Sequence, residues 1–448
     1  MKNTKVILSI FIFFFLLITL TSINAASEND TQETFSDVST PLKSDLNTGN
    51  NEQTSTTHVL NTSSFNDYVT DGKFNEKVND GDTIDFQGKL DSPKFALNVN
   101  KPVNIISSTG DAYYDIDTTP NAGSGINNYD NIFVLSNGGS GTNITGITFH
   151  NTQVRIINAS EVCVDNITLI CESNIGNRVG SFNVRGSNNI TVKNSYFMNY
   201  PNGGHSNVVI AGVSNCLIEN NTIQCDNTNG MTGNLLYLTT YYSNGLSNNN
   251  ITIRNNLIRT FGPSYPTNYG LALQGSGHII EGNVIDNDMP VMAQYADSDY
   301  GMETNIDSII FNNNTILRGA PQLVFPGIVA NNTFNGGALL KQVQAYNNTF
   351  NRVTIQNNVK FENNTAKNII VTGNNSILDN NEIYSDEDYA VNITGENNTL
   401  TNNKLLSNKG YGEDTICNSA EYVSVNNSER LPRVFYINDD NINEYLMM

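Results

Sequence analysis

Ile218-Glu219-Asn220-Asn221-Thr222-Ile223 carries the pattern that decides the fold: apolar, any, Asn, any, any, apolar. The same unit is centred on Asn151, Asn166, Asn194, Asn255, Asn313, Asn331, Asn347, Asn363, Asn380 and Asn402, and on Gly282 where Gly stands for Asn. Its two apolar positions are five residues apart, an odd separation that sends them to opposite faces of an uninterrupted strand. A helix fails as well, because five residues turn roughly 500° at about 100° each. Both side chains reach one core only if the chain bends between them. A bend through the left-handed backbone region favours Asn or Gly.

Strand, bend, strand, repeated twelve times, predicts an all-β solenoid, a parallel β-helix whose central Asn side chains ladder from coil to coil. Successive landmarks lie 26 to 35 residues apart from Asn194 to Asn313 and 16 to 22 apart from Asn313 to Asn402. The short coils predict a stiff stalk at about 313–405, and the long ones predict loops at about 194–313, where contact surfaces are usually carried.

Only 15% of the residues are charged, against about 25% in an average soluble protein. A net charge of -20 and a pI near 4.4 exclude nucleic acid and anionic lipid as expected partners, since both need positive surface. Residues 1–26 hold Lys2, Lys5, an apolar run from Val6 to Leu20 and a small-residue exit at Asn24-Ala25-Ala26, which reads as a secretory signal. The run is shorter than the roughly 20 residues that span a bilayer, so no other membrane segment is expected. Residues 27–57 are polar and acidic, a spacer that cannot bury a core. An N-terminal cap is expected over 58–96, a β-helix over 97–410, and a tail or second cap over 411–448.

The run Asp80-Gly81-Asp82-Thr83-Ile84-Asp85-Phe86-Gln87-Gly88-Lys89-Leu90, then Leu97-Asn98-Val99-Asn100-Lys101-Pro102-Val103-Asn104-Ile105 and the Asn-Asn-Thr-Ile rungs, resembles the adhesin-like surface proteins of methanogenic archaea. The resemblance covers about Asp80 to Leu405. It implies a right-handed parallel β-helix of the pectate-lyase-like class on an extracellular, surface-associated protein, and assigns no residue a role. Members often continue into Ig-like repeats or an apolar C-terminal anchor, and the stretch from Val434 to Met448 reads as neither.

The residue before each landmark faces outward and reads Asp165, Lys193, Glu219, Arg254, Glu281. Alternating signs on neighbouring coils predict a ladder of opposite charges rather than catalytic groups. By the same counting Cys171, Cys216 and Cys225 face the core and Cys163 does not. Cys171 and Cys225 fall two coils apart, about 9.6 Å, beyond the roughly 7 Å reach of a disulfide, so no disulfide framework is expected. His150 and His278 fall in rungs. His205, after Asn202-Gly203-Gly204, reads as a surface or contact residue, because the companion carboxylates and Arg-x-Lys of the polygalacturonases are missing.

Tyrosines crowd the long coils: Tyr200, Tyr237, Tyr241, Tyr242, Tyr265, Tyr269, Tyr295 and Tyr300. With Ser, Gly and Asn around them they predict a ligand-binding patch, the plainer alternative being that the rings glue the loops to the scaffold. Asp286, Asp288, Asp297, Asp299 and Glu303 form an acidic group that reads as solvated loop, as a Ca²⁺ site or as a hydrolytic carboxylate pair. Ca²⁺ is the one cofactor the sequence raises. More than a dozen Asn-x-Ser/Thr sequons occur, many on landmark Asn whose side chains the ladder would occupy. The expected function is a secreted or cell-surface adhesin-like protein binding glycans or proteins of another cell. The alternative is a polysaccharide lyase or glycoside hydrolase of the same fold class.

Overall fold

The computed structural model describes residues 55–115, 133–172, 181–200, 206–226, 233–241, 245–262, 269–293, 306–421 and 423–427. The described residues form a parallel β-helix of three sheets. In the coil of Asn220 the strands are Ser214–Glu219, Thr222–Asp226 and Leu236–Thr239, one in each of sheets 1, 2 and 3. They pair in parallel with Asn249–Arg254, Leu257–Phe261 and Leu271–Ala272 of the next coil, in the register Ile218 to Ile253, Ile223 to Ile258 and Leu236 to Leu271. Both apolar positions of the motif point inward: Ile218 and Ile223 have no exposed surface.

Each landmark is the bend between sheets 1 and 2. Asn166, Asn194, Asn220, Asn255, Asn313, Asn331, Asn347, Asn363, Asn380 and Asn402 all have φ between 51° and 56°, and Gly282 has 64°. Asn151, with φ 45°, is different. It bends the chain from sheet 2 (Thr148–His150) to sheet 3 (Val154–Ile157), and the true landmark of its coil is Gly146, φ 73°, between Ile144 and Phe149. A search keyed on Asn passes over a Gly that serves the same backbone.

The buried ladder belongs to the residue after the landmark. The landmark Asn are exposed, whereas Asn221, Asn256, Asn283, Asn314, Asn332, Asn348, Asn364, Asn381 and Asn403 are at most 2% exposed. The Asn332 backbone N–H and Nδ2 both donate to Asn348 Oδ1 at 2.9 Å, and Nδ2 also donates to the Phe311 carbonyl at 2.9 Å. Asn332 Oδ1 in turn accepts from Asn314 N and Nδ2. Every donor and acceptor of the amide is thereby used. The chain of contacts starts at Ile167 N–H to Ser195 Oγ, passes to Asn221, and runs on to Asn427.

The stack is longer than the sequence suggests at both ends. Thr57–Leu60, Thr83–Phe86, Lys89–Leu90 and Leu97–Val99 are already strands of the parallel sheets, so the cap expected over 58–96 is itself mostly coil. Gly88, with φ 70°, makes its bend without an Asn to betray it. Only the helical turn Phe65–Tyr68 and Val69–Thr70 stand apart there, the latter pairing antiparallel with Lys73–Phe74, which itself pairs in parallel with Leu97–Val99. At the other end Ile416–Asn418 and Val423–Asn426 pair with Val391–Ile393 and Asn398–Thr401, which carries the helix past 410. From Asn313 on the corners tighten, and Thr333–Tyr346 runs as one strand through all three sheets. Inside these coils Phe334 stacks on Phe350 with ring centroids 4.7 Å apart. The signal segment and spacer lie outside the described residues, among which no helix is long and apolar enough to cross a membrane.

Cys171, Cys216 and Cys225 are buried, Cys163 is half-buried and Cys417 exposed, all as free thiols. Burial pushes the first three up to about 12, which makes them packing groups. His278, with no exposed surface, accepts the Ile251 N–H at Nδ1 (3.2 Å) and meets the Gln274 carbonyl at Nε2 (3.1 Å), which assigns the neutral Nε2–H tautomer. Burial, opposed by the Gln274 contact, lowers its pKa to about 4.

Two predictions follow from this packing. Asn348→Ala unmakes the acceptor of Asn332 and the donor to the Val329 carbonyl, at about 1 to 3 kcal/mol per buried group left unmet. Asn347→Gly keeps the left-handed bend and should cost under about 1 kcal/mol. Urea unfolding that ranked the pair the other way would make the bend residue, rather than the ladder residue, the one that holds the coils. For His278 the folded pKa lies below the unfolded value of 6.5, so the unfolded chain takes up a proton first. Its contribution is complete above pH 6.5 and is lost as pH falls toward 4. His278→Asn, which retains an acceptor for Ile251, should flatten that part of the stability profile.

Candidate functional site

Counting four residues on from each landmark gives the outward column of sheet 2: His150, Ile170, Met198, Gln224, Arg259 and Asp286, on consecutive coils in unbroken register. Asp115 precedes it, and a register shift at Ile285 brings Arg318 opposite Asp286. At about 4.8 Å per coil the seven steps span about 34 Å. Three local networks occupy the column.

At its start His150 lies between two carboxylates, Nδ1 3.2 Å from Asp115 Oδ2 and Nε2 3.3 Å from Glu172 Oε2. The Tyr113 ring stacks on the imidazole at 5.5 Å, with Lys89 over its other neighbourhood at 5.5 Å from the ring centroid. Burial, then the charges of Asp115 and Glu172, raise the Tyr113 pKa. In the middle, Gln224 Nε2 donates to the Tyr196 hydroxyl, and Gln224 Oε1 accepts from Arg259 Nε at 2.9 Å. The Arg259 guanidinium lies 4.6 Å from the centroid of Phe261, a ring that is 41% exposed. Nη1 and Nη2 of Arg259 find no hydrogen-bond partner among the described residues.

At its end Arg318 donates from Nε to Asp286 Oδ1 (2.6 Å), from Nη1 to Asp288 Oδ1 (3.1 Å) and from Nη2 to the Thr260 carbonyl (2.6 Å). Asp286 and Asp288, two of the five residues of the acidic group, thus have a guanidinium as their partner. The guanidinium already supplies the positive charge that those carboxylates would offer a metal. Asp297, Asp299 and Glu303 lie outside the described residues, among which no group of three His, Cys, Asp or Glu side chains is placed to hold a metal ion.

The described tyrosines do not gather into one patch. Tyr200 and Tyr269 sit half-buried at the corner between sheets 2 and 3; Tyr200 N–H donates to the Cys171 carbonyl at 2.8 Å, and burial raises the Tyr269 pKa. Tyr237 lies on sheet 3 in line with Val209 and Ala272. Tyr241 lies at the corner between sheets 3 and 1, bridged to Leu246, and so close to the preceding coils that a Cβ on Gly212 would come within 2.7 Å of its own Cβ. That is the packing role weighed against binding. His205, Tyr242, Tyr265, Tyr295 and Tyr300 lie outside the described residues. Among the described strands the long coils are interrupted at two corners, after Tyr196–Asn199, Thr222–Asp226 and Leu257–Phe261 of sheet 2 and after Leu236–Thr239 and Val291–Ala293 of sheet 3. Landmark spacing measures the length of a coil and not the corner at which the extra residues leave it.

The charge column stands in the expected register and settles into ion pairs, Lys193 with Asp165 at 3.5 Å and Arg254 with Glu219 at 2.7 Å. Tyr196, Gln224, Arg259, Phe261 and Arg318 were not singled out from sequence. All but Arg318 were readable by the same parity count that places the charges, two, four or six places after the landmark.

No protein-family model matches the sequence, and no curated protein does. Among solved structures the chain is similar to PfbA, a surface adhesin of Streptococcus pneumoniae, at 12% identity, covering 77% of this chain and 85% of that one with a TM-score of 0.28. It is similar to the Agl-KA catalytic domain at 16% identity, covering 78% and 62% with a TM-score of 0.35, and to the mannuronan C-5 epimerase AlgE6 A-module of Azotobacter vinelandii at 10%, covering 78% and 91% with a TM-score of 0.28. At these identities and scores nothing about activity passes to this chain, and its assignment as a parallel β-helix rests on the strand pairing above.

Proposed function

We propose that this is a secreted or cell-surface, adhesin-like protein that binds an extended glycan along the outward column of sheet 2. The observation that carries the reading is the Tyr196, Gln224, Arg259, Phe261 group. It offers a guanidinium with two nitrogens unengaged among the described residues and an exposed ring on a rigid sheet, the guanidinium held in place by the buried Gln224 amide beneath it. A flat, pre-formed strip of hydrogen-bonding groups and rings suits a chain of hydroxyl-rich rings, and pre-organisation limits the entropy lost on binding. Tyr200 and Tyr269 border the strip at its corner, and the acidic surface makes a neutral or cationic partner the better fit. The short coils after Asn313 act as the stalk.

Binding of residues 55–448 to a glycan array and to whole cells tests this. Arg259→Ala with Phe261→Ala should weaken the best ligand by about tenfold or more, the loss of one to two charge-assisted contacts, with the β-sheet circular dichroism unchanged. Undiminished binding by the folded variant would move the contact surface elsewhere.

A second reading, glycan hydrolysis or lyase chemistry, is favoured at one place. Asp115 and Glu172 flank His150 on three successive coils, two carboxylates with a group able to move a proton between them. Incubation with neutral and acidic polysaccharides separates the readings. New reducing or unsaturated ends that vanish in Glu172→Gln would make the protein an enzyme, and their absence leaves it a binder.

A further inference from the structure

Placing the ladder on the residue after the landmark frees the landmark itself. In Asn313-Asn314-Thr315, Asn331-Asn332-Thr333, Asn347-Asn348-Thr349 and Asn363-Asn364-Thr365 the middle Asn is the buried one. The first Asn and the Thr share the outer surface: all four first Asn are exposed, with φ of 54° to 56°, and each Thr opens the strand that follows in sheet 2. Four sequons thus stand on one ridge on four consecutive coils. The fold does not demand the Thr. The same position is Tyr196, Leu257, Val284, Glu382 and Lys404 in coils with the same bend.

The four acceptors are not equivalent. Asn331 Nδ2 donates to Asn312 Oδ1 at 2.8 Å, and Asn363 Oδ1 accepts from Asn380 Nδ2. The side chains of Asn313 and Asn347 make no hydrogen bond among the described residues. These two lie two coils apart, about 9.6 Å, which leaves each attached sugar the width of the coil between them.

We propose that Asn313 and Asn347 are N-glycosylated, so that the short coils carry a saccharide on alternate rungs of one ridge. In the transfer the Nδ2 of each Asn forms a bond to C1 of a saccharide carried on a lipid phosphate or diphosphate. The C1–O bond to the phosphate breaks, the lipid phosphate departs, and Nδ2 loses one proton. The donor lipid and its transferase belong to the secreting cell. The modified Asn keeps one N–H, and the ladder beneath is untouched because Asn314 and Asn348 supply it.

Glycopeptide mass spectrometry of the protein secreted by its own cells is the test. Most copies of the peptides holding Asn313 and Asn347 should carry a saccharide mass, with Asn380 and Asn402, exposed at the same bend without a Thr, unmodified as internal controls. Thr315→Val and Thr349→Val, which keep a strand-forming side chain, should each remove the mass from its own site alone. Both wild-type peptides at their bare mass would overturn the proposal, as would saccharide confined to Asn331 and Asn363 or retained on Asn313 in Thr315→Val. The wild-type map decides even if a variant is not secreted.

Discussion

Turning a chain sharply between two sheets leaves backbone N–H groups at the corner that no strand partner can reach. In this protein, from the corner at Ser195 to that at Asn403, each is met by the side-chain amide of an Asn one coil further on. The amide satisfies the corner beneath it and is satisfied by the corner above, so no coil closes its hydrogen bonds alone. A buried polar group without a partner costs about 1 to 3 kcal/mol, comparable to the burial of a whole Ile side chain at about 1.5 to 3. The amides therefore weigh as much in fixing the coils as the apolar residues they sit among. Ten coils depend on this one contact, and everything on the outer surface inherits its register from it.

The fold was legible because two independent demands fall on neighbouring residues. A left-handed bend calls for Asn or Gly, and the odd spacing of Ile218 and Ile223 calls for a bend. What the pattern could not show is which of two adjacent Asn faces in. Asn220 and Asn221 are chemically identical, and only Ser195 and Asn283, ladder residues whose preceding landmarks are Asn194 and Gly282, break the tie. Gly282-Asn283 was the decisive clue, since a Gly has no side chain to place in a ladder and the Asn beside it does. Gly88 and Gly146 make the same bend without any Asn, and for that reason the first coils were read as a cap and Asn151 as a landmark.

The outer surface was legible to the extent that parity decides it. Asp165, Lys193, Glu219 and Arg254 fell where counting placed them, and counting four residues beyond the bend instead of one before it would have reached Gln224 and Arg259. Pairings that depend on an irregularity were out of reach. Arg318 meets Asp286 only because the strand slips at Ile285, and nothing in the residue types announces that slip. Corner assignment failed for a related reason. A coil of 35 residues and one of 16 have the same rise, so length says that a loop exists and leaves open which corner it leaves from.

That last property gives the most direct test of the account. In sheet 1, Thr191 and Ile328 are five coils apart across 137 residues, and Ile310 and Thr399 are five coils apart across 89. Spin labels on each pair, with Cys163 and Cys417 changed to Ser, report the two separations by double electron–electron resonance. The laddered helix predicts nearly equal distances of about 24 Å, five steps of about 4.8 Å. Distances that differed in proportion to the residues between the labels would contradict it.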